Sequence, residues 1–116
     1  MTNTLREPKI INLTPHDVTV YLDSGFIKVY PSKGVARVDN MTKKVDILDG
    51  IPVKKFYFSN IIGLPPYKED TYYIVSVMVA NRARLEGRTT DDLLMTAGLL
   101  RDDQNKVYGC TAFTQF

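Results

Sequence analysis

A single cysteine (Cys110), a single histidine (His16) and no tryptophan occur among the 116 residues. One cysteine excludes an internal disulfide and any zinc site built from cysteines. One histidine excludes an HExxH centre and every multi-histidine metal cluster. No apolar run approaches the roughly 18–20 residues that cross a bilayer as a helix. The segment Met1 to Lys9 is polar, without the apolar core of a signal peptide. A lone cysteine and no leader point to a reducing, cytoplasmic setting and no membrane partner. Neither sign of charge dominates: fifteen Lys/Arg stand against thirteen Asp/Glu, a net of +2. That is too small an excess to predict binding to duplex nucleic acid. The glycine-rich phosphate loops GxxxxGK[ST] and GxGxxG are missing as well.

The rest is ordinary globular composition, 44% hydrophobic and 24% charged. Residues 1–116 are expected to form one domain, with residues 1–9 a loose N-terminal arm. Asp17 to Leu22 alternates polar and apolar, as a half-buried strand does. Asp23-Ser24-Gly25 is turn chemistry, and Phe26 to Tyr30 reads as the returning strand of a hairpin. Val35 to Val38 and Lys44 to Ile47 read as two further strands. Asp49-Gly50 is a strong hairpin signal before the β-rich Val53 to Phe58. Pro65-Pro66 breaks the pattern as an extended linker. Thr71 to Val75 is another strand, whose adjacent Tyr72 and Tyr73 must face opposite ways.

The period then changes. Ser76 is an N-cap candidate for a short helix through Glu86, and Gly87 stops it. Thr89 to Met95 predicts a second short helix, and Leu99 to Phe113 a final hairpin around Asp102 to Asn105. The expected fold class is α+β: a mostly antiparallel β-sheet meander with one or two short helices in the C-terminal third. Such a sheet has edges to cover, so a homo-oligomer, a dimer or larger, is expected.

Four of the six arginines, Arg82, Arg84, Arg88 and Arg101, lie within twenty residues. Arginine offers a planar fork to phosphate and can stack on a purine, so a compact anionic ligand is one reading. A solvated helix face with pairs such as Arg82–Glu86 is the other. In Asn12-Leu13-Thr14-Pro15-His16, three polar side chains flank a proline. They can bind a ligand, or Asn12 and Thr14 can stabilise a bulge while His16 donates to a main-chain carbonyl. Cys110 pairs with His16 only if the fold joins the chain's two ends; otherwise it packs as a small hydrophobe. Asp91-Asp92 and Asp102-Asp103 point to different sides as neighbours and suit helix-start and turn roles better than acid–base catalysis. No catalytic set, metal site or cofactor is expected.

Ile11-Asn12-Leu13-Thr14-Pro15-His16 resembles the opening of a family of small proteins common in bacteriophages and prophages. Gly34 to Val38, Leu64-Pro65-Pro66, Tyr73 to Ser76, Leu100-Arg101-Asp102 and Gly109-Cys110 extend the resemblance. The chain is also similar to the phage Thoeris anti-defence sponges. These are small antiparallel sheets with two helices that oligomerise and hold cyclic ADP-ribose isomers without cleaving them. The resemblance implies a phage-encoded, non-catalytic binder of a small anionic nucleotide acting in the cytoplasm of the bacterial host. Arg101 matches the stacking arginine of the sponges. Arg84 to Leu94 contains no aromatic to match their stacking ring, so either a tyrosine such as Tyr73 or Tyr108 substitutes, or the ligand differs, or the analogy fails. The expected ligand-binding set is Asn12, Thr14, His16, Arg37, Tyr73, Asn81, Arg84, Arg88 and Arg101. The alternatives are an inhibitor or accessory subunit that docks on a host protein, and a small nucleotide hydrolase using metal at Asp91, Asp92, Asp102 or Asp103.

Overall fold

The computed structural model describes residues 7–116, so most of the expected N-terminal arm lies outside the described residues. The central sheet has four strands in the order β1-β6-β7-β10: β1 Lys9–Asn12, β6 Thr71–Ile74, β7 Leu93–Ala97 and β10 Ala112–Thr114. β1 runs parallel to β6 and β6 parallel to β7, while β10 closes the sheet antiparallel to β7. Three two-stranded hairpins surround it: β2 Val18–Tyr21 with β3 Ile27–Tyr30, β4 Asn40–Leu48 with β5 Ile51–Phe58, and β8 Leu100–Arg101 with β9 Val107–Gly109. Among the described residues the protein is thus mostly β with one short helix, and its hairpins are antiparallel as expected. The central sheet departs from a meander. Parallel strands need a crossover, and α1, Val77–Leu85, supplies the one between β6 and β7. The helix therefore sits inside the sheet's connectivity at mid-chain.

The caps of α1 were legible. The Ser76 side chain accepts a hydrogen bond from the Val79 N–H at 3.2 Å. At the other end Gly87 takes φ +79°. The Gly87 N–H donates to Arg84 O (3.1 Å) and the Arg88 N–H to Ala83 O (3.0 Å). This paired closure ends a helix by satisfying carbonyls that have no partner within it. Val79, Ala80 and Ala83 form the buried stripe. Small residues there let the helix lie close to Tyr73, Val75, Leu93 and Met95, with Leu13 and Ala36 completing the cluster.

The second helix expected over 89–95 does not form. Asp91 and Asp92 make a turn and Leu93 begins β7. Leu93 is 1% and Met95 4% exposed, so joining the buried edge of β6 outweighs a weak local helical preference. Val35 to Val38 is not a regular strand either. Arg37 bridges Ile62 in isolation, exchanging two backbone hydrogen bonds of 2.9 Å. After Cys110 the chain leaves β9 and pairs with β7 instead of prolonging the last hairpin.

The β4–β5 hairpin projects from this body. The radius of gyration is 18.3 Å, against about 13 Å for a compact domain of this length. All nine residues of β4 are exposed. Among the described residues, no helix is long and apolar enough to span a membrane.

Candidate functional site

Asn12 organises the opening loop. Its side chain is 1% exposed, and its amide donates to His16 O and Tyr30 O, both at 2.8 Å. Its Oδ1 accepts from the Thr14 N–H (2.9 Å) and from Thr14 Oγ1 (2.6 Å). An asparagine side chain has two donor hydrogens and two acceptor lone pairs, so Asn12 is saturated and has nothing left for a ligand. Ser32 ties the loop from the other side: its hydroxyl donates to Thr14 O at 2.6 Å, and its N–H donates to Asp17 Oδ1 at 3.1 Å. Asn12 and Thr14 thus serve structure, but they brace the bend between β1 and β2, where no bulge forms. His16 differs from expectation, since its carbonyl, not its ring, enters the network. The imidazole is left on an exposed residue.

The fold does join the chain's two ends. The Tyr21 N–H donates to Cys110 O (2.9 Å) and the Cys110 N–H to Thr19 O (3.0 Å). Between them opens a cleft of about 440 Å³, within the range of small-molecule sites. Thr14, His16 and Asp17 of the opening loop, Val107, Tyr108 and Gly109 of the last hairpin, and Val75, Ser76 and Thr96 line it. Tyr108 is 52% exposed. Its ring is held edge-on by Tyr21, with centroids 5.7 Å apart and planes at 76°. Gly109 permits this closeness, because a Cβ there would meet the Tyr21 ring and the Thr19 carbonyl. A smaller cavity of about 260 Å³ adjoins, sharing Thr14 and Ser76 and lined also by Arg37. The Ser76 cap places the N-terminal end of α1 between the two cavities. That end carries partial positive charge, and no acidic residue occupies the helix's first turn.

The arginines close in sequence are dispersed in space, and none lines the larger cleft. Arg88 grips Asp92 through two hydrogen bonds, 2.8 and 2.9 Å, and donates also to Thr89 O and Pro65 O. It pins the proline linker to the start of β7, with both terminal nitrogens engaged. Arg84 donates to Asn81 Oδ1 at 2.8 Å and lies 4.6 Å from the Phe116 ring centroid. Arg101 sits exposed on the last hairpin, donating to Asn105 O at 3.1 Å. Arg37 reaches Asp39 at 3.1 Å on the rim of the smaller cavity. Tyr73 is 4% exposed inside the core, so it presents no face to a base. Of the expected set, Thr14 and His16 line the large cleft, with Arg37 next door. Asn12, Tyr73 and Arg88 are committed to structure, and Asn81, Arg84 and Arg101 lie elsewhere. Asp17, Ser76 and Thr96 were not singled out as ligand-binding residues, and Tyr108 entered only as the alternative to Tyr73 for the stacking ring.

Cys110 and His16 do share this cleft. The thiol, however, is 3.6 Å from Thr19 O as a donor, and burial pushes its pKa up, two backbone N–H contacts only partly opposing this. A thiol held protonated is a poor nucleophile. Asp92 is neutralised by Arg88, and Asp102 Oδ1 accepts from the Gln104 and Lys106 N–H groups. No group of three metal-ligating side chains exists among the described residues. Set against protein-family models, curated proteins and solved structures, the chain has no significant match.

Proposed function

We propose that the protein binds and sequesters a small anionic nucleotide, of the cyclic ADP-ribose type, in the cleft between its opening loop and its C-terminal hairpin, without cleaving it. The observation that carries the reading is the meeting of Thr14, His16 and Ser76 with the half-exposed ring of Tyr108 around one 440 Å³ cleft. Tyr108 takes the stacking role that the resemblance left open between Tyr73 and Tyr108, because Tyr73 is buried. The imidazole of His16 and the hydroxyl of Ser76 supply hydrogen bonds to ribose or phosphate, and Thr14 Oγ1, whose hydrogen goes to Asn12, accepts from a ribose hydroxyl. The N-terminal end of α1, with Arg37 beyond it, favours the negative charge. Sequestration works through tight binding and slow release, so it asks for no base, nucleophile or metal.

Isothermal titration of the purified protein against cyclic ADP-ribose isomers and cyclic dinucleotides tests this. The expected result is saturable binding of at least one of them, with the ligand recovered chemically unchanged after the complex is denatured. Tyr108→Ala should weaken that binding by roughly 1–3 kcal/mol, the usual worth of a base–aromatic stack, while its melting temperature stays near wild type. No heat with any compound at protein well above micromolar would remove the proposal, and a cleaved product would replace it with hydrolysis.

A further inference from the structure

The β4–β5 hairpin is a two-stranded ribbon with exposed apolar side chains, and such a ribbon is marginal in water when nothing covers it. Its register identifies what covers it. The pairs Met41–Tyr57, Lys43–Lys55, Asp46–Val53 and Leu48–Ile51 follow one another from base to tip. All lie on one face, because the irregularity between Lys44 and Asp46 takes Val45 out of the ladder and brings Asp46 opposite Val53. The face therefore reads apolar, basic, acidic, apolar.

That order is its own complement when reversed. We infer that a second copy of this chain packs face to face on this surface, about a two-fold axis that crosses the strands between the Lys43–Lys55 and Asp46–Val53 rungs. Each Lys43 then lies over the partner copy's Asp46. Met41 lies over Leu48 and Tyr57 over Ile51, and the stem of Lys55 covers Val53. Like charges paired across strands repel, and among the described residues neither Lys43 nor Lys55 has an acidic partner within its own chain. Two reciprocal Lys43–Asp46 pairs supply the missing counter-charge. Asp46 spends Oδ1 on the Ile47 N–H at 2.7 Å, which leaves its second oxygen for the lysine.

The opposite face offers no such match. Lys44 and Lys54 stand there with Phe56 and Phe58, whose rings are 5.1 Å apart, and with no acid in the ladder. Met41, Tyr57, Leu48 and Ile51 are 43%, 46%, 58% and 63% exposed. Half-covered side chains of this size leave about 350 Å² of apolar surface per copy. With the lysine stems the pairing falls below about 1,200 Å² in total, the range of reversible association.

Sedimentation equilibrium of the full chain, from micromolar to near-millimolar at low salt, provides the test. Wild type should go from monomer to dimer. Lys43→Asp and Asp46→Lys should each weaken self-association by about tenfold or more, since each sets like charges face to face. An equimolar mixture of the two should dimerise again. In the mixed pair, both positions of the Lys43→Asp copy are acidic and both positions of the Asp46→Lys copy are basic, so every contact joins opposite charges. Wild type that stays monomeric throughout, a mixture that does not recover, or association lost on Phe56→Ser but kept in Asp46→Lys would each overturn the inference. If either charge variant fails to fold, Ile51→Glu at the tip must be monomeric; retained association there refutes the same face.

Discussion

Asn12→Ala should be among the most damaging single changes in the molecule, although it removes only a small polar side chain. Its amide satisfies the carbonyls of His16 and Tyr30, and its oxygen satisfies the N–H and hydroxyl of Thr14, all within 2.9 Å. A hydrogen bond is worth about 1 kcal/mol net, and a buried group stranded without a partner costs more. Thr14 and His16 lie close enough to the surface for water to compensate in part, so the loss should total about 3–4 kcal/mol. That is a large share of the roughly 5–15 kcal/mol available to a domain. For a chain of this length it corresponds to a fall of about 12–16 °C in melting temperature, at near 4 °C per kcal/mol. Urea unfolding followed by far-ultraviolet circular dichroism is the suitable assay, since there is no tryptophan to report. Asn12→Asp keeps an acceptor for Thr14 but turns a carboxylate toward two carbonyls, so it should fare no better at neutral pH. A stability for Asn12→Ala within about 1 kcal/mol of wild type would refute the claim that this side chain holds the loop.

Arg88→Met should cost about 3–5 kcal/mol by stranding Asp92, whose side chain is 1% exposed. Arg88→Lys should recover little, since an ammonium cannot replace the two-pronged grip. The double variant Arg88→Met, Asp92→Leu should be less damaged than Arg88→Met alone, and urea titration of the three checks the order. Because burial raises the Cys110 pKa above its ordinary 9.0, the unfolded thiol ionises first as pH rises. This contribution to stability is complete below pH 9 and declines above it. The stability difference between wild type and Cys110→Ala should accordingly narrow above pH 9, and iodoacetamide should alkylate the native protein slowly at pH 8. Fast labelling of native protein would contradict the burial of the thiol.

Local signals were legible where the physics is local. Ser76 and Gly87 marked the ends of α1, because an N-cap hydroxyl and a left-handed glycine act within one turn of the backbone. Asp49-Gly50 marked the tip of the long hairpin for the same reason, with φ +51° and +76° at the two residues. The polar cluster of the opening loop was visible too, and so were its alternative uses. What stayed hidden depends on partners far along the chain. Alternation shows that Tyr72 and Tyr73 face opposite sides but not which side is core; the packing of α1 on the Tyr73 side of the sheet settles that and buries Tyr73. Arg88 and Asp92 have the spacing of a helix pair, yet they close a turn.

Hairpins, the helix and its caps, and the lack of cysteine-built or multi-histidine chemistry follow from residue types and short spacings. The parallel order of the central sheet, the scattering of the arginines and the meeting of His16 with Tyr108 come from contacts between segments about twenty to ninety residues apart. There each pairing is chosen by how much apolar surface the whole chain buries, a quantity that no local window of residues contains.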